Sequence, residues 1–384
     1  ESQLSVIGEY AFANCSNLSS IILPDGLGSI NKYAFYNCVE LEAIVLPNTV
    51  NNIGEATFFN CVSLANIDIP ENVTEIAKNL FKNCSGLISV SLSDNTTRIR
   101  LSAFYNCENL SEISIPMSVI EIGDEAFYNC NSLTNIIFNT NLITSINTAV
   151  FYNCWSLTEI SLPNSIQNIK ENAFYGCSSL SEISIPKAVE YIGLSSLSGC
   201  TGLLEITFEP DSELKSIGGF AFQNCKKLIS ITLPTSLETL GNAAFSGCSK
   251  LGDMYLPFIG RSDSAVEDEA LFGYIFGIDE YEDSVCVTQY YTQSESVNYY
   301  IPLFLREIHI TSSTRLGYGA FYNCSKLSVI AMNSELSSIG NFAFANCEGL
   351  TSSEIPVNVV ALGLGTFLNC VSMNSIGIAS GLIS

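Results

Sequence analysis

"AFYNC" stands at residues 34–38 and returns at 103–107, 126–130 and 320–324, with "VFYNC" at 150–154. A cysteine held in one five-residue frame can be a metal ligand, a nucleophile, a disulfide partner or a packing residue. Its spacing narrows the choice. Cys15, Cys38, Cys61, Cys84, Cys107 and Cys130 lie 23 residues apart. Cys154, Cys177, Cys200, Cys225 and Cys248 follow at steps of 24, 23, 23, 25 and 23, and after a gap of 76 Cys324, Cys347 and Cys370 resume the period. Of the 15 cysteines only Cys286 falls outside this register. A fixed period between about 20 and 50 residues marks a repeat solenoid, whose units bury their apolar sides only against one another. The chain is therefore read as a single solenoid over 1–384, about 15 repeats of period 23, with an insertion over 258–302.

One unit, "LSEISIPMSVIEIGDEAFYNCNS" from Leu110 to Ser132, shows how a repeat is built. Leu110, Ile113 and Ile115 alternate as in a short strand, and Pro116, which cannot donate to a ladder, closes it. Val119 and Ile122 continue the inward stripe, and Gly123 marks a turn. Ala126, Phe127 and Cys130 have the spacing of one helical turn, too short to stand without neighbours. Three residues before each framed cysteine sits a phenylalanine, except at Leu197, which predicts a spine of stacked rings. Directly before the cysteine stands Asn in 11 repeats and Gly in three (Gly176, Gly199, Gly247), the pair that tolerates a left-handed backbone.

The cysteine can then be weighed. Strands one repeat apart in a parallel sheet lie about 4.8 Å from one another, but their Cβ vectors run parallel, which disfavours a disulfide ladder. Metal binding would call for CxxC or Cys/His clusters, and the chain has one His in all. A nucleophile repeated 14 times has no mechanistic purpose, and no GxSxG, HExxH or phosphate-binding loop accompanies it. Buried packing, as a small hydrophobe with a weak S–H donor, is the reading that remains. No catalytic, cofactor-binding or metal residue is assigned.

The pattern C-xx-L-xx-I-x-I-P-xx-V-xx-I-G-xx-A-F-xx-C resembles the BspA-type, or Treponema-type, leucine-rich repeat. "CENLSEISIPMSVIEIGDEAFYNC" at 107–130 carries it, as does "CSSLSEISIPKAVEYIGLSSLSGC" at 177–200 with a departure at Leu197. The resemblance implies a right-handed curved solenoid with a parallel sheet on one face. It implies placement on bacterial cell surfaces, or in some protozoa, and a role in adhesion, host-matrix binding or aggregation. It implies no catalytic residues.

Composition is consistent with an extracellular address. A net charge of −23 and pI near 4.2 argue against nucleic acid and anionic lipid, and favour a basic protein partner or a cation. No apolar run of about 18 residues is present, so no membrane insertion is expected in this segment. No polar cap closes the repeats at either end, and the chain is expected to be a piece of a longer surface protein whose signal and anchor lie outside it.

Two places could hold a protein partner. In each strand the residues that interrupt the inward Leu and Ile point onto the sheet face. Before the central Ile stand Glu112, Asn135, Glu159, Glu182 and Glu205, and after it Ser114, Ile137, Ser161, Ser184, Thr207 and Thr232. Stacked carboxylates repel unless a cation or a Lys/Arg-rich segment lies over them, although Glu also suits any exposed strand copied by duplication. Asp68, Asp253 and Glu307 share the face without extending the run.

The second place is the insertion. Strand starts Leu251 and Leu305 lie 54 residues apart, and between Phe258 and Pro302 nine acidic residues face one basic residue, Arg261. Tyr274, Tyr281, Tyr290, Tyr291, Tyr299 and Tyr300 fall there, and "VCVTQYYTQSESVNYYIP" predicts a projecting β-hairpin. "LFGYIFG" is similar to inserts in the resembled family, which implies that the element could equally brace the solenoid. Asp279, Glu280, Glu282 and Asp283 lack EF-hand spacing, so a solvated loop competes with a calcium site. Trp155 replaces a small polar residue after its cysteine and is a candidate contact anchor. His309 alone makes neither a triad nor a metal site, and Cys286 could be exposed. A surface protein-binding or adhesion module is the leading expectation, a structural spacer in a larger surface protein the alternative, and an enzyme comes last.

Overall fold

The inward Leu, Ile, Val, Phe and Cys of each repeat wind into one coil of a β-solenoid in the computed structural model, which describes residues 3–378. Glu1, Ser2 and residues 379–384, the end of the final "SIGIASGLIS" stretch, lie outside the described residues. The chain forms two compact units, Glu1–Ala188 and Val189–Ser384.

In the first unit every coil has three sides, each hydrogen-bonded to the next coil. The sheet side is made of short parallel strands such as Glu112–Ile115, which pairs with Asn135–Phe138 in the register Ile113↔Ile136. A second parallel ladder joins two-residue strands, Glu75–Ile76 to Arg98–Ile99 to Glu121–Ile122. On the third side lies the segment around the cysteine, where amides alternate their partners. Glu125, Phe127 and Asn129 donate to Thr148, Val150 and Tyr152 of the following coil at 2.8–3.0 Å. Ala126, Tyr128 and Cys130 donate to the residue three earlier, at 3.1–3.3 Å. The single helical turn expected here is therefore a run of tight turns. With every second amide committed to another coil, an i→i−4 ladder cannot form.

Backbone conformation follows from the same alternation. All 14 residues preceding a framed cysteine are left-handed, the 11 Asn at φ between 55° and 64° and Gly176, Gly199 and Gly247 at 73–78°. Four residues earlier stands a second left-handed column that reasoning from sequence missed: Tyr10, Tyr33, Ala56, Asn79, Ser102 and Glu125 in the first unit are at φ 52–59°. No residue type marks it. Its cost is offset by the inter-coil hydrogen bond each such amide makes, as Glu125 does to Thr148.

The spine is present. From Phe12 to Phe174 the first unit stacks eight Phe rings with centroids 5.2–5.7 Å apart. Beside it, the recurring cysteine has a specific task. Cys38, Cys61, Cys84, Cys107, Cys130, Cys154 and Cys177 each donate Sγ–H to the carbonyl of a spine Phe in the preceding coil, at 2.9–3.2 Å. All 15 cysteines are free. Burial pushes the thiols up, Cys38 to about 11 and Cys84 to about 12.

The second unit repeats this plan and absorbs the insertion. Its sheet runs Ser230–Thr232, Asp253–Leu256, Glu307–Ile310, Val329–Ala331, all parallel, with Met254↔Ile308 in register across the inserted residues. A surrogate coil fills the turn side. Ala243 and Phe245 donate to Tyr274 and Ile275, while Phe272 donates to Ala320 and packs on Phe321 with centroids 5.1 Å apart. Ser284–Tyr290 and Ser296–Pro302 form the antiparallel hairpin. Rather than projecting, it lies down, because Val287, Gln289, Tyr299 and Ile301 are buried. Gln289 is the plug: its Oε1 accepts from Gly273 at 2.6 Å and its Nε2 donates to Ala320 at 3.1 Å and reaches Cys324 Sγ at 3.6 Å.

Candidate functional site

Outward residues of the sheets, Asn66, Asp68, Ser89 and Ser91 among them, are exposed. In the first unit Glu112, Glu159 and Glu182 are exposed, but Glu112 stands opposite Asn135, and Glu159 lies in a coil whose 157–163 stretch is not in a strand. A continuous carboxylate column is thus interrupted twice. Glu112 instead shares a groove of about 410 Å³ with Asp68 and Asp94, between the hydroxyls of Ser89, Ser91 and Ser114. Asp94 was not apparent from the repeat pattern because it sits in the turn after the strand, where position carries no inward or outward signature. In the second unit Glu205 opens the Glu205–Phe208 strand and lines a cleft of about 500 Å³ with Glu209, Asp211, Thr207 and Thr232. Among the described residues no three His, Cys, Asp or Glu side chains come together to hold a metal ion.

The tyrosines of the insertion divide. Tyr299 is 2% exposed, with its ring over Gly273, where a Cβ would lie 2.3 Å from the ring, and its hydroxyl on the Asp268 carbonyl at 3.2 Å. It braces the fold and offers no surface. The Tyr281 hydroxyl is buried without a partner, and burial raises its pKa well above the phenol range. Tyr274, Tyr290, Tyr291 and Tyr300 are half-buried; Tyr290 packs on Tyr322 with centroids 5.1 Å apart, and Tyr291 closes the hairpin onto Glu295 at 3.1 Å. Trp155 is 50% exposed. Cys286 is exposed on the hairpin opposite Tyr300. His309 stacks on Tyr255 at 4.2 Å, its Nε2 3.5 Å from Glu307.

Two arrays went unnoticed in sequence although the "FYNC" frame held the signal for both. Tyr105, Tyr128, Tyr152 and Tyr175, two residues before their cysteines, stack at 4.5–4.6 Å with ring planes within 7°. Burial raises the phenols of Tyr105, Tyr128 and Tyr152. Lys82 caps the column, 3.9 Å from the Tyr105 ring centroid. The Asn residues form an amide ladder beside it, for example Asn129 to Asn106 and Asn106 to Asn83, each at 3.0 Å.

The chain matches the family described as BspA type Leucine rich repeat region (6 copies) over residues 1–111, 97–211, 179–262 and 296–384. No curated protein matches it. Among solved structures it is similar to a leucine-rich repeat protein from Bacteroides ovatus, at 26% identity and TM-score 0.56, covering 96% of this chain and 82% of that one. A leucine rich cell surface protein from Faecalibacterium prausnitzii is 23% identical with TM-score 0.43, over 98% of this chain and 77% of that one. The pneumococcal vaccine antigen PcpA is 17% identical with TM-score 0.46, over 97% and 84%.

Proposed function

Since the chain belongs to the BspA-type leucine-rich repeat family, we propose that it is a protein-binding module of a bacterial surface or secreted protein, acting in adhesion through its sheet faces. One observation carries this reading: the outward side chains of the sheets, Glu112, Ser114, Ile137 and Glu182 among them, are exposed. A repeat array with a regular, uncovered face is built for extended contact with a partner. The accessible tyrosines of the insertion, Tyr274, Tyr290, Tyr291 and Tyr300, and Trp155 are secondary contact candidates. The spacer reading is favoured by the plain hydroxyl positions Ser114, Ser161 and Ser184.

A screen against immobilised extracellular-matrix proteins by biolayer interferometry, with and without calcium, tests the proposal. Saturable binding that weakens when Glu112, Glu159, Glu182 and Glu205 become Gln supports the sheet face. Weakening only with Tyr290→Ala and Tyr291→Ala moves the site to the insertion. Absence of binding in every format leaves the spacer reading. Antibody labelling of intact cells tests the surface address.

A further inference from the structure

We infer that the sheet face of the first unit seats an extended segment of the partner protein that carries arginine or lysine, centred on the groove between Asp68, Asp94 and Glu112. This rests on the protein-binding reading and says what that face selects. The first ground is charge segregation. From Ser19 to Ser184 the outward sheet positions carry Glu42, Asp68, Glu112, Glu159 and Glu182 and no lysine or arginine.

Five of the seven cations of the same unit are committed on other sides of the coils; Lys187, exposed in the turn after the Glu182–Ile185 strand, holds the repeat position of Asp94 four coils later. Lys32 sits 3.6 Å from Glu9 and Lys78 3.7 Å from Glu55, while Arg98 and Arg100 each bridge Glu75 and Glu121 at 2.8–3.6 Å. Lys82 lies over Tyr105. The side chains of Asp68, Asp94 and Glu112, by contrast, are exposed and enter no ion pair among the described residues. A face of one sign facing water favours a partner of the other sign.

The second ground is shape. The groove, about 410 Å³, crosses the strands Asn66–Asp68, Ser89–Ser91, Glu112–Ile115 and Asn135–Phe138, so its carboxylates come from separate coils. They do not converge as metal ligands do. Guanidinium or ammonium groups spaced along an extended chain match carboxylates dispersed in this way. Ile137, 48% exposed, and Pro116 offer an apolar wall for the methylene stem of such a side chain.

Fluorescence anisotropy of a fluorescein-labelled tetra-arginine peptide, beside its tetra-citrulline counterpart, tests the inference on the whole chain. The arginine peptide is expected to bind and the citrulline peptide not. Asp68→Asn, Asp94→Asn and Glu112→Gln together should weaken binding about tenfold, against less than about twofold for Glu40→Gln, Glu108→Gln and Glu348→Gln, which remove the same charge from exposed positions beside the cysteines. Equal weakening by the two sets, no binding by the parent chain, or displacement by millimolar calcium beyond that of sodium chloride at matched ionic strength would each overturn it. If a matrix partner is found and binds the groove variant as tightly as the parent, the inference falls and the protein-binding reading stands.

Discussion

The thiol of Cys84 donates to the carbonyl of Phe58, 26 residues earlier, at 2.9 Å. The same bond recurs coil after coil through the first unit, so each cysteine ties its own turn to the spine of the preceding coil. A valine of similar bulk could fill the space but could not make the bond.

Cys84→Ala is expected to lower unfolding free energy by about 1–2 kcal/mol, the sum of a small cavity and a lost buried hydrogen bond. Urea titration followed by far-UV circular dichroism measures it. An unchanged midpoint would remove the thiol from the list of stabilising groups.

Thiol reactivity should be sharply partitioned. Cys15 and Cys286 are exposed and should react with a thiol reagent in the native chain, whereas the twelve buried cysteines should react only on unfolding. Rapid labelling of more than a few thiols under native conditions would contradict the packing.

Stability should fall on the alkaline side. Burial raises Cys38 to about 11 and Cys84 to about 12 from an ordinary 9.0, so the folded chain keeps protons that the unfolded chain loses. A raised folded-state pKa gives stability that is complete below about pH 9 and is lost as pH climbs toward the folded value, on the order of 1 kcal/mol per buried thiol by about pH 10. Urea midpoints between about pH 7 and pH 10 check the sign, and Cys84→Ala should flatten the slope.

Asn106 holds φ at 57° and both gives and receives in the amide ladder. Asn106→Ala should therefore cost more than Asn106→Gly: both remove the ladder contacts, but only alanine also meets left-handed strain of about 1 kcal/mol. Thermal melts of the two variants separate conformational from hydrogen-bonding effects, and equal losses would assign the whole cost to the ladder.

Gln289→Leu should loosen the insertion by about 2–4 kcal/mol, since the Gly273 amide and the Ala320 carbonyl would both lose a buried partner. Limited proteolysis should then cut between 262 and 300 first. A resistant insertion would show that the apolar contacts of Tyr299 and Ile301 suffice.

The period of 23, the Phe spine, the left-handed Asn and Gly column and the buried thiol were legible in sequence because a repeat samples each environment many times, so chance substitutions average out and the constrained positions remain. What occurs once, or depends on a neighbour 23 residues away, was not legible. The second left-handed column carries Tyr, Ala, Ser and Glu alike, its strain being offset by a backbone bond that leaves no residue signature. The hairpin pattern was visible, but that it lies down on Gln289 and Tyr299 depends on packing against Gly273 and Ala320. Sequence could place Glu112 on an exposed face; only the stacking of coils decides that it shares a groove with Asp68 and Asp94 rather than with Glu159, because the lateral neighbours of a residue in a solenoid are set by coil register and turn path and not by its place in the chain.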